Sequence, residues 1–189
     1  DPILIDYTAL PDLSDVDSAL KTGVLEALAR FDWAKLTSEQ RLELLRVYTV
    51  TLSRMGPPDQ AGREALISLF DSVLPTGQPR LDVELTRLLV YLQAPSAAAK
   101  GVQLLSQAPS QEEQIDYAMA LRFLRDGWND DLLREYLSWF PKAHAYRGGA
   151  NFAMFIDELK KNAESLLSEQ QRTQFAELLE ATAPAETFV

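Results

Sequence analysis

The sequence predicts an all-α protein, arranged as a right-handed α-solenoid of HEAT- or armadillo-like antiparallel helix pairs. Apolar residues recur at spacings of three and four along most of the 189-residue chain, which is the period of amphipathic helices. Capping side chains mark the helix starts, and Gly or Pro marks most of the ends. The β-branched residues are scattered rather than gathered into alternating runs, so no strand is predicted.

About nine helices follow from these signals, in chain order. They are predicted to begin near Ser14, Thr37, Asp59, Leu81, Ser96, Ser110, Asn129, Asn151 and Ser168. Three starts pair Ser or Thr with Glu or Gln three residues later, which makes a capping box. These pairs are Thr37 with Gln40, Ser110 with Glu113, and Ser168 with Gln171.

The first six helices have defined ends. The first runs to about Phe31, and the second ends at Gly56. The third stops before the loop-like stretch 75–79, which holds two Pro and one Gly. The fourth helix, 81–93, is strongly apolar and is expected to lie at the centre of the fold. The fifth and sixth follow it as shorter helices, the sixth ending at Gly127.

The end of the seventh helix depends on Pro141. Proline lacks an amide donor and clashes with the carbonyl four residues back, so this helix should kink or end near Phe140. The eighth helix begins at Ala150 or Asn151, and the ninth runs to about residue 181.

The spacing of the helices predicts a repeat. Helix starts lie about 14 to 23 residues apart, so a pair takes roughly 35 to 45 residues, the length of HEAT and armadillo units. A closed globular bundle is the alternative. We assign 1–13 to a linker or N-terminal cap, 14–181 to a single helical-repeat domain, and 182–189 to a flexible tail.

Composition excludes several classes of protein. The chain has 18 basic and 28 acidic residues and a net charge of −10, which repels nucleic acid. It has no Cys, so it offers no disulfide, thiolate nucleophile, zinc knuckle or covalent c-type haem attachment. No apolar run approaches the roughly 18 residues that cross a bilayer, so membrane insertion is not expected.

No residue is assigned a catalytic, cofactor-binding or metal-binding role. The acid pairs at 112–113 and 130–131 open helices, where carboxylates complement the helix dipole. His144 has no second His or Cys at ligand spacing, so a surface or helix-capping role is predicted for it. Neither Gly-x-Gly-x-x-Gly nor a P-loop is present, and no cofactor is expected.

One segment has a residue pattern that helix formation alone does not explain. An aromatic residue, a cation and two glycines at 146–149 directly precede a helix start, where backbone amides could hold an anion. The favoured alternative is a tight turn with Gly at positive φ, Tyr146 packed beneath it and Arg147 paired with an acid of the next helix. The residues that could interact with a ligand or form this turn are Trp128, Tyr146, Arg147, Gly148 and Gly149.

Several motifs together resemble a known architecture. They are Leu44-Leu45-Arg46-Val47-Tyr48, Gly56-Pro57-Pro58, Leu88-Leu89-Val90-Tyr91-Leu92-Gln93-Ala94-Pro95, Gln114-Ile115-Asp116-Tyr117, Gly127-Trp128, and Tyr146-Arg147-Gly148-Gly149 followed by Phe152. Their order and spacing, from about Asp32 onward, resemble the HEAT-like helical-repeat region of large exported multidomain proteins of planctomycete type. In those proteins the repeats lie between a propeller-like, dehydrogenase-like region and a C-terminal c-type cytochrome domain. Pro141 departs from the uninterrupted helix that the resemblance implies at that position.

The resemblance implies a non-catalytic scaffold or protein-interaction module, exported to the periplasm or cell surface, with any redox chemistry in neighbouring domains. Its partners would be those domains or another protein. A hydrolase or lyase with an acidic cleft is one alternative. The other is a helical glycan-binding module that uses Trp128, Tyr146 and Arg147.

Overall fold

A computed structural model describes residues 18–181, and within this range the protein is all-α, with no strand. The predicted linker 1–13, the Ser14 start of the first helix and the predicted tail 182–189 lie outside the described residues. Ten α-helices are present in the described range: α1 (Ser18–Leu28), α2 (Ser38–Met55), α3 (Gln60–Asp71), α4 (Pro79–Tyr91), α5 (Ala97–Gln107), α6 (Gln111–Leu121), α7 (Asp130–Ala143), α8 (Phe152–Glu164), α9 (Glu169–Gln174) and α10 (Ala176–Glu180). A 3-10 turn, Trp33–Lys35, precedes α2.

The tenth helix arises because the last predicted helix is interrupted at Phe175. This residue has φ −103° and ψ 13°, outside helical geometry, and it separates α9 from α10. Its ring is only 1% exposed, and the Arg134 guanidinium carbon lies 4.9 Å from the ring centroid. Burial of a large aromatic ring thus accompanies the break in the helix.

The local caps agree with the sequence in most cases. The capping boxes at Thr37 and Ser168 are confirmed, with both reciprocal hydrogen bonds present. The box at Ser110 is only half formed, because its hydroxyl accepts from the Glu113 amide while the Glu113 side chain lines a cleft. The Ser96 cap is wrong, since its hydroxyl donates to the Asp71 carboxylate instead.

The sequence predicted that α7 would kink or end near Phe140; the helix continues through Pro141 and ends at Ala143. Pro141 has no amide to donate to the Leu137 carbonyl, so one hydrogen bond of the last turn is missing. The amide of His144 still donates to the Phe140 carbonyl at 3.1 Å. The helix therefore gains one further turn.

The chain divides into two compact units, Asp1–Ala65 and Leu66–Val189. In the first unit α1 contacts α2, and the Lys21 ammonium donates to the Pro57 carbonyl at 2.7 Å. The assignment of 14–181 to one domain stays a prediction.

In the second unit, helices α4 to α7 pack in two layers. Helices two apart in the chain contact each other, α4 with α6 and α5 with α7, and α5 also packs on α4 and α6. This arrangement is that of successive helical hairpins whose first helices form one layer and whose second helices form the other. The predicted right-handed solenoid is compatible with it, and its handedness stays a prediction.

Helix α4 is the most buried element of this unit, as its composition indicated. Its buried residues include two polar side chains, Asp82 and Thr86, among six apolar ones. Leu85 and Leu89 have no exposed surface. The helix thus positions Asp82 inside the unit, next to the loop 75–77.

Candidate functional site

The segment 146–149 lies between α7 and α8 and is attached to the first turn of α6. There the Gln111 side-chain amide donates to the Arg147 carbonyl at 2.9 Å and accepts from the Arg147 amide at 3.2 Å. One glutamine thus satisfies both main-chain polar groups of an exposed turn residue. Among residues 18–181 the Arg147 guanidinium forms no ion pair, so the predicted pairing with an acid of α8 is absent there.

The second attachment is Gln114, one turn further along α6, which is 6% exposed. Its carbonyl oxygen accepts from the Trp139 indole at 3.0 Å and from the Tyr146 hydroxyl. Its amide nitrogen donates to the Ala108 carbonyl at 2.7 Å. Burial raises the pKa of Tyr146 above its usual value of 10, although the nearby Trp139 partly offsets this rise. Gln114 therefore joins the end of α5, helix α7 and the 146–149 turn.

Sequence reasoning did not assign Gln111 or Gln114 any role. The buried face of α6 is formed by Gln114, Tyr117, Ala118 and Leu121, at positions i, i+3, i+4 and i+7. A glutamine in the first position of an otherwise apolar stripe was the available signal, because a buried amide needs hydrogen-bond partners. Those partners, however, lie 25 and 32 residues away in the chain.

The aromatic residues proposed for glycan binding are partly exposed, and both contact other side chains of the protein. Trp128 stacks on Tyr136, with ring centroids 5.3 Å apart, and its indole donates to the Leu124 carbonyl at 3.1 Å. The Trp139 ring meets the Tyr146 ring edge-on at 6.2 Å. These contacts favour the structural interpretation of Trp128 and Tyr146 over a sugar-stacking platform.

The two glycines of the turn have different roles from those expected. Positive φ was predicted for Gly148 and Gly149, but among the described glycines it occurs only at Gly56, Gly77 and Gly127. Gly148 is required for space, because a Cβ there would lie 2.2 Å from the Phe152 Cγ atom. A Cβ at Gly149 would meet no atom within 4 Å. The turn thus depends on one of its two glycines.

We therefore expect Gly148→Ala to lower the free energy of unfolding by about 1 to 3 kcal/mol, since the Phe152 ring and the backbone must separate. The matched variant Gly149→Ala should leave it within about 0.5 kcal/mol, because the added methyl group enters open space. Urea unfolding of both variants measures the difference. Equal losses at the two positions would contradict the steric role of Gly148.

A cleft lies on another side of α6. It is lined by residues from three places: the start of α4 with the loop before it, the end of α5, and α6 itself. Its volume is about 160 Å³. Asp82 and Glu113 supply its two charges, and Tyr117 forms part of its wall.

Two polar groups in this cleft, the Asp82 carboxylate and the Tyr117 hydroxyl, differ in their hydrogen bonds. The buried Asp82 carboxylate accepts from the Thr76 amide at 2.6 Å, the Thr76 hydroxyl at 2.8 Å and the Gly77 amide at 3.1 Å. Tyr117 is 2% exposed, and its hydroxyl has no hydrogen-bond partner among residues 18–181. Burial raises the pKa of Tyr117 to about 12, and the charges of Asp82 and Glu113 add to the rise. Asp82 thus fixes the loop, while the Tyr117 hydroxyl stays available.

The remaining candidates have structural surroundings. The His144 Nε2 atom lies 3.4 Å from an Asp157 carboxylate oxygen, next to the end of α7. Asp130 accepts from the Gln171 side chain at 2.7 Å. Within residues 18–181, no three His, Cys, Asp or Glu side chains gather closely enough to hold a metal ion. No helix in that range has the length and apolar character needed to cross a membrane.

Comparisons with protein-family models, with curated proteins and with solved structures find no match to this chain.

Proposed function

We propose that the chain is a non-catalytic helical-repeat module that scaffolds neighbouring domains or binds another protein. The observation that carries the proposal is the two-layer packing of α4 to α7, because stacked hairpins present continuous surfaces for partners. Polar side chains tie successive hairpins together: Gln93 on the α4 side donates to the Phe123 carbonyl at 3.0 Å, and Arg87 pairs with Asp116 at 2.7 Å. Such ties keep a binding surface in one arrangement.

The module belongs to a larger exported protein, as the resemblance implies. The net charge of −10 suits a basic protein surface as partner, and repels anionic polymers. The alternative hypothesis, a hydrolase or lyase, needs an acid in a cleft, and Asp82 is the more buried of the two acids in the cleft described above. Its carboxylate accepts three hydrogen bonds that hold residues 76 and 77. That use favours a structural role for Asp82 over acid or base catalysis.

The test is binding of the purified chain to the protein segments encoded beside it in its reading frame, measured by calorimetry and stopped-flow kinetics. We expect saturable binding whose association rate falls about tenfold between about 0.05 and 0.5 M salt, because screening removes electrostatic steering. The dissociation rate should change less. Turnover of a small substrate by this chain, abolished by changing one acid, would contradict the proposal in favour of an enzyme.

A further inference from the structure

The cleft between α4, α5 and α6 is a candidate ligand-binding site, and its lining residues indicate the charge of the ligand. Its lining residues include two acids, Asp82 and Glu113, and no Lys, Arg or His. Both acids approach from helices packed against each other, α4 and α6. The potential inside the cleft is therefore negative at neutral pH.

The end of α5 adds to this field. Helix α5 ends at Gln107, and Leu104, Gln107 and Ala108 line the cleft. The C-terminus of a helix carries a partial negative charge on its unpaired carbonyls, which favours a cation nearby. Side-chain charge and helix dipole thus have the same sign here.

Tyr117 is the independent observation that points to a ligand. Its side chain is almost completely buried, yet its hydroxyl has no partner among residues 18–181 and is not sealed from solvent. A hydroxyl that reaches a cleft and has no partner within the described part of the protein is open to a ligand atom. The hydroxyl oxygen can accept from an N–H group, and the ring face attracts cations.

We infer that this cleft binds an alkylammonium or guanidinium group, in the size class of a lysine or arginine head group. Glu113 would supply the opposite charge and Tyr117 the hydrogen-bond acceptor, while Asp82 holds the loop that forms one wall. The volume of about 160 Å³ admits one side-chain end and is well below the roughly 300 to 1,000 Å³ of sites for drug-sized molecules. The cation is carried by a partner protein, and only this last point rests on the proposed function.

The test is a nuclear magnetic resonance titration of the whole chain with four probes. N-acetyl-lysine methylamide and N-acetyl-arginine methylamide represent protein side chains, butylammonium represents a free cation, and N-acetyl-norleucine methylamide is the neutral control. We expect saturable shifts of the Gly77, Gln107 and Glu113 amides with the cations, at a Kd on the order of 1 to 10 mM. The neutral probe should cause no saturable shift, because it lacks the charge.

Three variants identify the groups that bind. Glu113→Gln should raise the Kd about tenfold, since it removes a charge-assisted hydrogen bond. Tyr117→Phe should raise it roughly threefold with little loss of stability, because the hydroxyl has no partner in the free protein. Glu112→Gln is the matched control: this acid lies beside Glu113 in the same first turn, is exposed and does not line the cleft. It should leave the Kd unchanged.

The outcomes are distinct. Binding of the amino-acid probes that Glu113→Gln weakens and Glu112→Gln does not would support the site and its protein source. Binding of butylammonium alone would support the site and assign it to a free organic cation. Equal shifts with the neutral probe, or equal effects of the two Glu variants, would overturn the inference. Such a failure leaves the proposed function intact if the neighbouring segments still bind, since they can use another surface.

Discussion

Replacing Gly127 with Ala will lower the free energy of unfolding by about 3 kcal/mol, the sum of a backbone cost and a steric cost. Gly127 has φ +81°, a conformation that residues with a Cβ adopt only at a cost. A Cβ there would lie 2.2 Å from the Pro95 carbonyl oxygen, so the two segments would have to move apart. Urea unfolding followed by circular dichroism gives the change.

The close approach of Gly127 to Pro95 follows from the way α4 ends. Gln93 takes the left-handed conformation, φ 50°, in which its amide donates to the Val90 carbonyl and the next amide, of Ala94, donates to Leu89. The Gln93 side chain then accepts from the Arg125 amide at 2.7 Å. The chain after α4 is thereby held against the chain after α6.

A second glycine separates the two costs. Gly77 also has positive φ, +76°, but a Cβ there would meet no atom within 4 Å. Gly77→Ala should therefore lose only the backbone term of about 1 to 2 kcal/mol. Losses of equal size at Gly77 and Gly127 would show that the contact with Pro95 contributes nothing.

Replacing Gln114 with Leu will lower the free energy of unfolding by about 3 kcal/mol or more, because it leaves several buried polar groups without partners. Leucine is close to glutamine in size but cannot accept from Trp139 and Tyr146 or donate to Ala108. Thermal and urea unfolding both measure the effect. Gln103→Leu is the matched control on an exposed helix position, and it should change the stability by less than about 0.5 kcal/mol.

A double variant locates the loss. The Tyr146→Phe variant already lacks one of the groups that Gln114→Leu leaves without a hydrogen bond. In that background Gln114→Leu should therefore lower the free energy of unfolding by about 1 kcal/mol less. An unchanged cost would mean that the Tyr146 hydroxyl is not bonded to Gln114 in solution.

Elements specified by neighbouring residues were predictable from the sequence. The capping boxes at Thr37 and Ser168 involve atoms three residues apart, and both formed. The Ser96 side-chain cap did not form: Ser96 has helical backbone angles, its hydroxyl accepts no helix amide, and it donates to the Asp71 carboxylate, 25 residues away in the chain. The left-handed glycine was placed at 148–149 rather than at Gly127, since turn composition alone does not reveal which glycine faces another segment.

The candidate site was less predictable than the helices. The sequence indicates that segment 146–149 has a defined structure, and it predicts that Tyr146 packs beneath the turn. The cleft could not be predicted from the sequence, because Asp82, Glu113 and Tyr117 come together only through the packing of α4 on α6. From the sequence, the position of Glu113 three residues after Ser110 predicts a capping role only.

The most direct test of the structural role of segment 146–149 is hydrogen exchange of the Trp139 indole N–H in the native protein. This group is buried, donates to Gln114 and lies beside Tyr146. If the segment is a fixed part of the second unit, the indole should exchange only through global unfolding, with protection equal to the full free energy of unfolding. Exchange near the rate of a free indole would contradict this, since it would mean that segment 146–149 opens independently, as a mobile binding loop does.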